Sequence, residues 1–221
     1  MIEKSQKIIL LVEDEAVTAR LTREILERNG YRVILSQTGE EAVDLIKKNE
    51  PVDLILMDID MGEGIDGTSA ASQMLRNRDI PLVFLSAHSD PEFVKKTKEI
   101  TSYGYVLKNS GEAVLLASIK MALKLYETKE DLKEAEERYR NLFVNSQVGI
   151  FIIRLNEGTI LEANDCFAHI LGFKNRKELL NEPVSIMDFY VDKKIRHQME
   201  LILKTNGEIN NFEVQFKCRN G

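Results

Sequence analysis

Cysteine is scarce in this chain of 221 residues: Cys166 and Cys218 are the only thiols, and neither stands in a CxxC pair or beside a histidine. That excludes a disulfide framework and offers no zinc spacing, so both read as reduced structural thiols. Long apolar runs are missing too. Nothing approaches the roughly 20 residues a membrane helix needs, and residues 1–7 are too polar for a secretory leader. The expectation is a cytoplasmic protein with no membrane segment. Basic charge is outweighed, with 30 Lys and Arg against 36 Asp and Glu, for a net charge of −6. Neither the overall charge nor any basic recognition helix points to nucleic acid. A glycine-rich nucleotide-binding segment is lacking, and His88, His169 and His197 stand in no phosphoacceptor-helix context. The sequence thus carries no sign of an ATP-dependent kinase module.

What is present is a set of short apolar runs that each end in chemistry. Residues 8–12 precede Glu13 and Asp14, residues 54–57 precede Asp58, residues 82–85 precede Ser86 and Ala87, and residues 105–107 precede Lys108. Runs of this length read as parallel strands buried on both faces. A further strand is expected at 31–35. Helical patterns fall between the runs: from Ala16 to a stop at Asn29 and Gly30, over 39–48, and over 68–77. Asp90 before Pro91 starts a helix to about Ile100. A last helix begins near Glu112, with Ser110 as its cap, and meets no stop before about Leu142. Crossovers between parallel strands are right-handed almost without exception, so the carboxyl ends of the strands open on one edge, where open α/β sheets do their ligand chemistry.

At that edge Glu13, Asp14 and Asp58 crowd negative charge, which raises proton affinity unless a cation compensates. Hard oxygen donors suit magnesium, which keeps several waters and accepts a phosphate oxygen. With a metal and Lys108 neutralising the phosphoryl oxygens, Asp58 can act as an in-line nucleophile and form an acyl phosphate. Ser86 can hydrogen-bond the new group, Ala87 leaves room for it, and Tyr105 can repack from exposed to buried as a switch. Taken singly, Asp14 is a helix cap, Lys108 a solvated charge, and Ser86 and Tyr105 loop and core residues. Only the ordered set on successive strand ends points to chemistry.

The long helix carries a second signal. Val114, Met121, Leu125, Thr128, Leu132, Ala135, Tyr139 and Leu142 fit alternating heptad positions, with Ser118 a polar break and charged residues outside the seam. So narrow a seam, sustained over about four heptads, suits a parallel coiled coil and hence a homodimer. The alternative is a solvated linker. Beyond it, residues 149–155 and 159–163 alternate as a hairpin turning at Asn156, Glu157 and Gly158. Asn164 and Asp165 cap a short helix ended by Gly172, an amphipathic helix spans about 193–204, and 212–218 reads as a last strand.

Residues 6–125 resemble the receiver domain of two-component response regulators. The resemblance rests on VEDE (12–15), LILMD (54–58), LVFLSA (82–87) and GYVLK (104–108). It implies a flavodoxin-like α/β fold, a doubly wound five-stranded parallel sheet, with Asp58 as phosphoacceptor. It further implies Glu13, Asp14, Asp58 and the backbone carbonyl of Asp60 as Mg2+ ligands, Lys108 as phosphate counter-ion, and Ser86 with Tyr105 as the switch pair. The phosphoryl donor would be a histidine kinase or phosphotransfer protein. Two departures stand out: loop 61–67 is one residue longer than usual and lacks the family's proline, and Asn109 replaces the proline common after the lysine. Residues 139–221 resemble, less specifically, an incomplete α+β PAS sensor domain, through 139–143, 149–155, 162–164, 171–173 and 212–221. This implies a receiver over 1–125, a helical linker over 112–142, and a PAS-like module lacking closing strands, as in a fragment of a longer receiver/PAS sensor kinase. Cys166 lacks the Asn-Cys-Arg context of a flavin-photoadduct site, and His197 reads as structural rather than as a haem ligand. Two rival readings stay open. A haloacid-dehalogenase-like phosphatase would use Asp58 as nucleophile and Asp60 as general acid, although its acidic metal motif would have to follow Lys108. A pure interaction module would have lost the acceptor or the lysine.

Overall fold

The computed structural model describes residues 6–62, 64–87, 100, 103–155 and 157–219. Residues 90–99 of the expected helix, His88, Asn156 of the expected turn, and the terminal Asn220 and Gly221 lie outside the described residues. The chain forms two compact units, 1–132 and 133–221.

In the first unit, β1 (Ile8–Val12), β2 (Arg32–Ser36), β3 (Leu54–Asp58), β4 (Leu82–Ser86) and β5 (Tyr105–Leu107) form a sheet of order β2-β1-β3-β4-β5. Every pairing is parallel. Helices α1 (Ala16–Arg28), α2 (Gly39–Lys47), α3 (Gly67–Asn77) and α4 (Glu112–Asn145) follow their strands. The apolar runs are continuous because both faces are covered. Leu10, Val12, Ile55, Met57 and Phe84 pack with Val43, Ile46 and Met74 of α2 and α3. Their neighbours Ile9, Leu11, Leu54, Leu56 and Val83 pack on the other face with Leu26 of α1 and Leu115 and Ile119 of α4. Each such side chain contributes about 1.5–3 kcal/mol, and a one-residue slip would exchange the faces of a whole strand, so packing sets where each strand ends. The order of strands reverses between β1 and β3. The crevice at their carboxyl ends is therefore the topological switch point.

Side-chain caps start two of these four helices. Thr38 accepts a hydrogen bond from the Glu41 amide at the head of α2, and Asp66 accepts from the amides of Thr68 and Ser69 at the head of α3. Ser110 does not cap α4. Its hydroxyl donates to the Leu107 carbonyl, and the Gly111 carbonyl accepts the Leu115 amide instead.

The second unit holds β6 (Phe151–Ile153) and β7 (Ile160–Ala163), paired antiparallel with a register shift between Ile152 and Ile153. Helix α5 (Asp165–Ile170) follows, then α6 (Arg176–Asn181), a 3-10 turn (Ile186–Phe189) and α7 (Lys193–Asn206), closed by Gly207 at φ 78°. Phe151 stacks on Phe167 with centroids 4.0 Å apart, and Phe216 meets Phe167 edge-on. Asn164 is fully buried yet satisfied. It accepts from the amides of Ile150 and Phe167 and donates to the carbonyls of Phe143 and Val148. The strand expected over 212–218 is an extended segment with one isolated antiparallel bridge, Phe216 to Tyr190. It lies along the residues after the 3-10 turn, where the Lys217 amide donates to the Phe189 carbonyl, and adds no rung to β6 and β7. Helix α6 and the 3-10 turn, of 6 and 4 residues, are too short to show a period in the sequence.

Candidate functional site

The switch-point crevice gathers the residues that end β1, β3 and β5. Glu13 follows β1 and is fully buried, and Asp58 closes β3 with 1% of its surface exposed. Just beyond β5, the Lys108 amide donates to the Ser86 carbonyl, which extends the ladder and carries the side chain to the crevice. Its Nζ donates to Asp58 Oδ2 at 2.7 Å and to Glu13 Oε1 at 2.9 Å. The same ammonium lies 2.8 Å from Glu13 Oε2. Asp58 Oδ1 accepts the Asp60 amide at 3.1 Å, so both oxygens of Asp58 are held. Asp14 is exposed, and its Oδ2 accepts the Gly62 amide at 2.7 Å. One oxygen each from Glu13, Asp14 and Asp58 lies within 4.8 Å of the others.

The electrostatics are unbalanced. Burial pushes the Glu13 carboxyl up to about 7, the hydrogen bond from Lys108 offsets part of that, and the Asp58 charge adds to it. Burial works against the Lys108 charge, but the hydrogen bonds and charges of Asp58 and Glu13 outweigh it and raise its pKa above the ordinary lysine value. One ammonium is thus shared by two buried carboxylates, with a third carboxylate beside them. A hard-oxygen donor set short of positive charge fits a divalent cation such as magnesium.

Ser86 is buried at the end of β4, one residue beyond Leu85, which pairs with Asp58. Tyr105 is 37% exposed and in register with Phe84, so it stands back along β5 from the crevice. Asp60 is exposed, its amide directed at Asp58. The remaining candidates belong to the second unit. His169 contacts the Lys174 carbonyl, His197 is exposed on α7, and Cys166 and Cys218 donate to the carbonyls of Gln147 and Ile170. Not singled out by the sequence is Glu40, at the head of α2, whose Oε1 accepts the Ile65 amide at 2.8 Å. The signal for it was the glycine spacing in the loop that follows Asp58.

A family profile described as the response regulator receiver domain matches residues 9–120. The chain belongs to the response regulator receiver family. The match spans Glu13, Asp14, Asp58, Asp60, Ser86, Tyr105 and Lys108. A second profile, described as a PAS domain, matches residues 137–203. Among similar proteins is the transcriptional regulatory protein YvrH of Bacillus subtilis (strain 168), 35% identical over 124 residues, which are 55% of this chain and 52% of that protein. The receiver is also similar to the N-terminal domain of a response regulator/sensory box/GGDEF 3-domain protein from Carboxydothermus hydrogenoformans. That likeness has 44% identity and a TM-score of 0.53, over 56% of this chain and 98% of that one. A CheY-like receiver from Methanospirillum hungatei JF-1 matches at 27% identity and a TM-score of 0.53, over 57% of this chain and 99% of that one. The fold is flavodoxin-like, with a PAS-type unit after the long helix. This chain spans about half the length of the curated relatives it matches. The family's place is two-component phosphorelay signalling. Among the described residues no helix is long and apolar enough to cross a membrane.

The raised Glu13 pKa makes stability depend on pH. Between the ordinary value of 4.5 and about 7, the native state holds a proton that the unfolded chain releases. The native state therefore binds more protons there, and stability falls as pH rises through that window. Glu13→Gln should lose this part of the slope and gain most on the wild type above the window. Urea unfolding of both proteins across the window checks it, and parallel pH profiles would contradict it.

Proposed function

We propose that this receiver takes a phosphoryl group on Asp58 from a histidine kinase or phosphotransfer protein and relays the change along α4. The observation that carries the reading is the Lys108 ammonium, shared by two buried carboxylates at the switch-point crevice. In the transfer, a carboxylate oxygen of Asp58 attacks phosphorus in line. The bond between phosphorus and the donor nitrogen breaks, and its electron pair stays on the donor imidazole. Lys108 follows the developing charge onto the phosphoryl oxygens, and Ser86 hydrogen-bonds one of them. Magnesium, held by Glu13, Asp14, Asp58 and the Asp60 carbonyl, would add the positive charge that the cluster lacks. As Ser86 draws in, Tyr105 moves from its exposed position toward burial. A phosphatase of the haloacid-dehalogenase kind is disfavoured, because the acids beside Asp58 come from the end of β1, ahead of it in sequence.

Incubation with acetyl phosphate and magnesium, followed by intact mass, tests the acceptor. The wild type is expected to gain one phosphate and Asp58→Asn none. No gain, with steady phosphate release from unrelated phosphomonoesters, would favour a hydrolase, and no gain without turnover would leave a binding module.

The output side of the proposal is a parallel homodimer through α4. Leu115, Ile119 and Ala122 are buried in the core of the first unit, whereas Val114, Met121, Leu125, Leu132, Tyr139 and Leu142 are exposed. This is the seam the heptads marked, left uncovered in the single chain. Pairing with a second copy would cover it, and phosphorylation would shift the register or angle of the pair. Spin labels on Leu125→Cys, with Cys166 and Cys218 replaced by serine, should report a changed interchain distance when a phosphate mimic is added. Identical distances would sink the relay, and the absence of any interchain distance would sink the dimer.

A further inference from the structure

The loop between β3 and α3 is fitted around two carboxylates. Its Gly62 amide donates to Asp14 Oδ2 at 2.7 Å, and its Ile65 amide donates to Glu40 Oε1 at 2.8 Å. A Cβ on Gly62 would lie 2.9 Å from Asp14 Oδ2, and one on Gly64 would lie 2.7 Å and 2.8 Å from the two Glu40 oxygens. Real Cβ atoms essentially never approach so closely, so a side chain at either position would push the carboxylate away. Gly64 also has φ +96°, where only glycine is unstrained. Ile65 closes over the head of α2, where a Cβ on Gly39 would meet its Cγ1 at 2.7 Å. Both ends of the loop are fixed independently. A Cβ on Gly67 would come within 1.9 Å of the Asp58 carbonyl oxygen, so backbone meets backbone there. Asp66, with its carboxyl at about 2, is ionised and bonded to Thr68 and Ser69 although burial opposes its charge. Between those ends the Ile65 side chain packs against the core, and its amide is tied to Glu40.

We propose that Glu40 is a positioning residue that acts through this loop to aim Asp14 into the acidic cluster. The proposal rests on the reading of Glu13, Asp14 and Asp58 as a magnesium site. Asp14 is the exposed member of that set, and among the described hydrogen bonds its carboxylate is oriented by the Gly62 amide. Loosening the loop frees the Gly62 amide and lets the carboxylate turn toward solvent. The plainer role, a carboxylate favoured at a helix N-terminus, applies equally to Glu41. Glu41, however, turns back to the Ser36 hydroxyl and the Gln37 amide, and of the two it is Glu40 that accepts a loop amide. Outer partners of metal ligands typically contribute about 10–100-fold in affinity, and an effect passed through a loop belongs at the low end.

Calorimetric titration of the unphosphorylated full chain with magnesium reads the effect without any turnover. Glu40→Ala is expected to weaken magnesium binding about tenfold. Glu40→Gln keeps the acceptor for the Ile65 amide and is expected to bind as the wild type does. Glu40 is exposed, so the alanine variant should fold, and urea midpoints for both variants check that. Wild-type affinity in Glu40→Ala, or equal weakening in Glu40→Gln, would overturn the positioning role and leave the magnesium site standing. Failure of the wild type itself to bind magnesium would overturn the site and this role with it.

Discussion

Lys108 is the only described cation hydrogen-bonded to Glu13 and Asp58, and the geometry of the crevice depends on that sharing. Both carboxylates are out of water. Two unit charges about 4 Å apart interact by ~4 kcal/mol at an effective dielectric near 20, so the repulsion between them is comparable to what one ammonium returns to each. Breaking a buried pair from one side costs about 3–5 kcal/mol. The cluster is therefore held but undercompensated; burial first, and then the Asp58 charge, push the Glu13 carboxyl up to about 7. A site in this condition favours whatever brings positive charge or draws the ammonium onto a new anion. Phosphoryl transfer does the second, and a divalent cation does the first.

The fold exists, for this purpose, to end its strands at one place. Side chains on both faces of β1, β3 and β4 set those strands in register, and the reversal of strand order between β1 and β3 leaves a gap that the acids fill. That much was legible in the sequence, because buried parallel strands must be nearly continuous in apolar residues and the first polar residue after each run marks its end. Glu13, Asp58, Ser86 and Lys108 could be read for that reason. Their pairing could not. Nothing in the order of residues says that Lys108 reaches both Glu13 and Asp58 while Asp14 turns to a loop amide, since those contacts join positions up to 95 apart in the chain.

Elements were misread where a single contact, with no repeating pattern, decides the outcome. Ser110 looks like a cap, but its hydroxyl finds the Leu107 carbonyl first. Residues 212–218 alternate like a strand, yet they meet the residues after the 3-10 turn in a single bridge. Glu40 was invisible because an acid in the first turn of a helix already has a sufficient reason to be there. The glycines at 62 and 64 held the clue, since a loop that excludes side chains at alternate positions is moulded on something. The exposed seam of α4 is the opposite case. Its heptad spacing was plain in the sequence, and the structure leaves those side chains in solvent while the adjoining face of the helix enters the core.

The central claim is that the Lys108 ammonium is the charge a phosphoryl group on Asp58 would take over. The most direct measurement is a crystal structure of the protein treated with beryllofluoride and magnesium, in which the fluoride mimics the phosphoryl group. The beryllofluoride is expected on an Asp58 oxygen, with Lys108 Nζ within hydrogen-bond distance of a fluorine. An unmodified Asp58, with Lys108 still bonded to Asp58 and Glu13 alone, would contradict it.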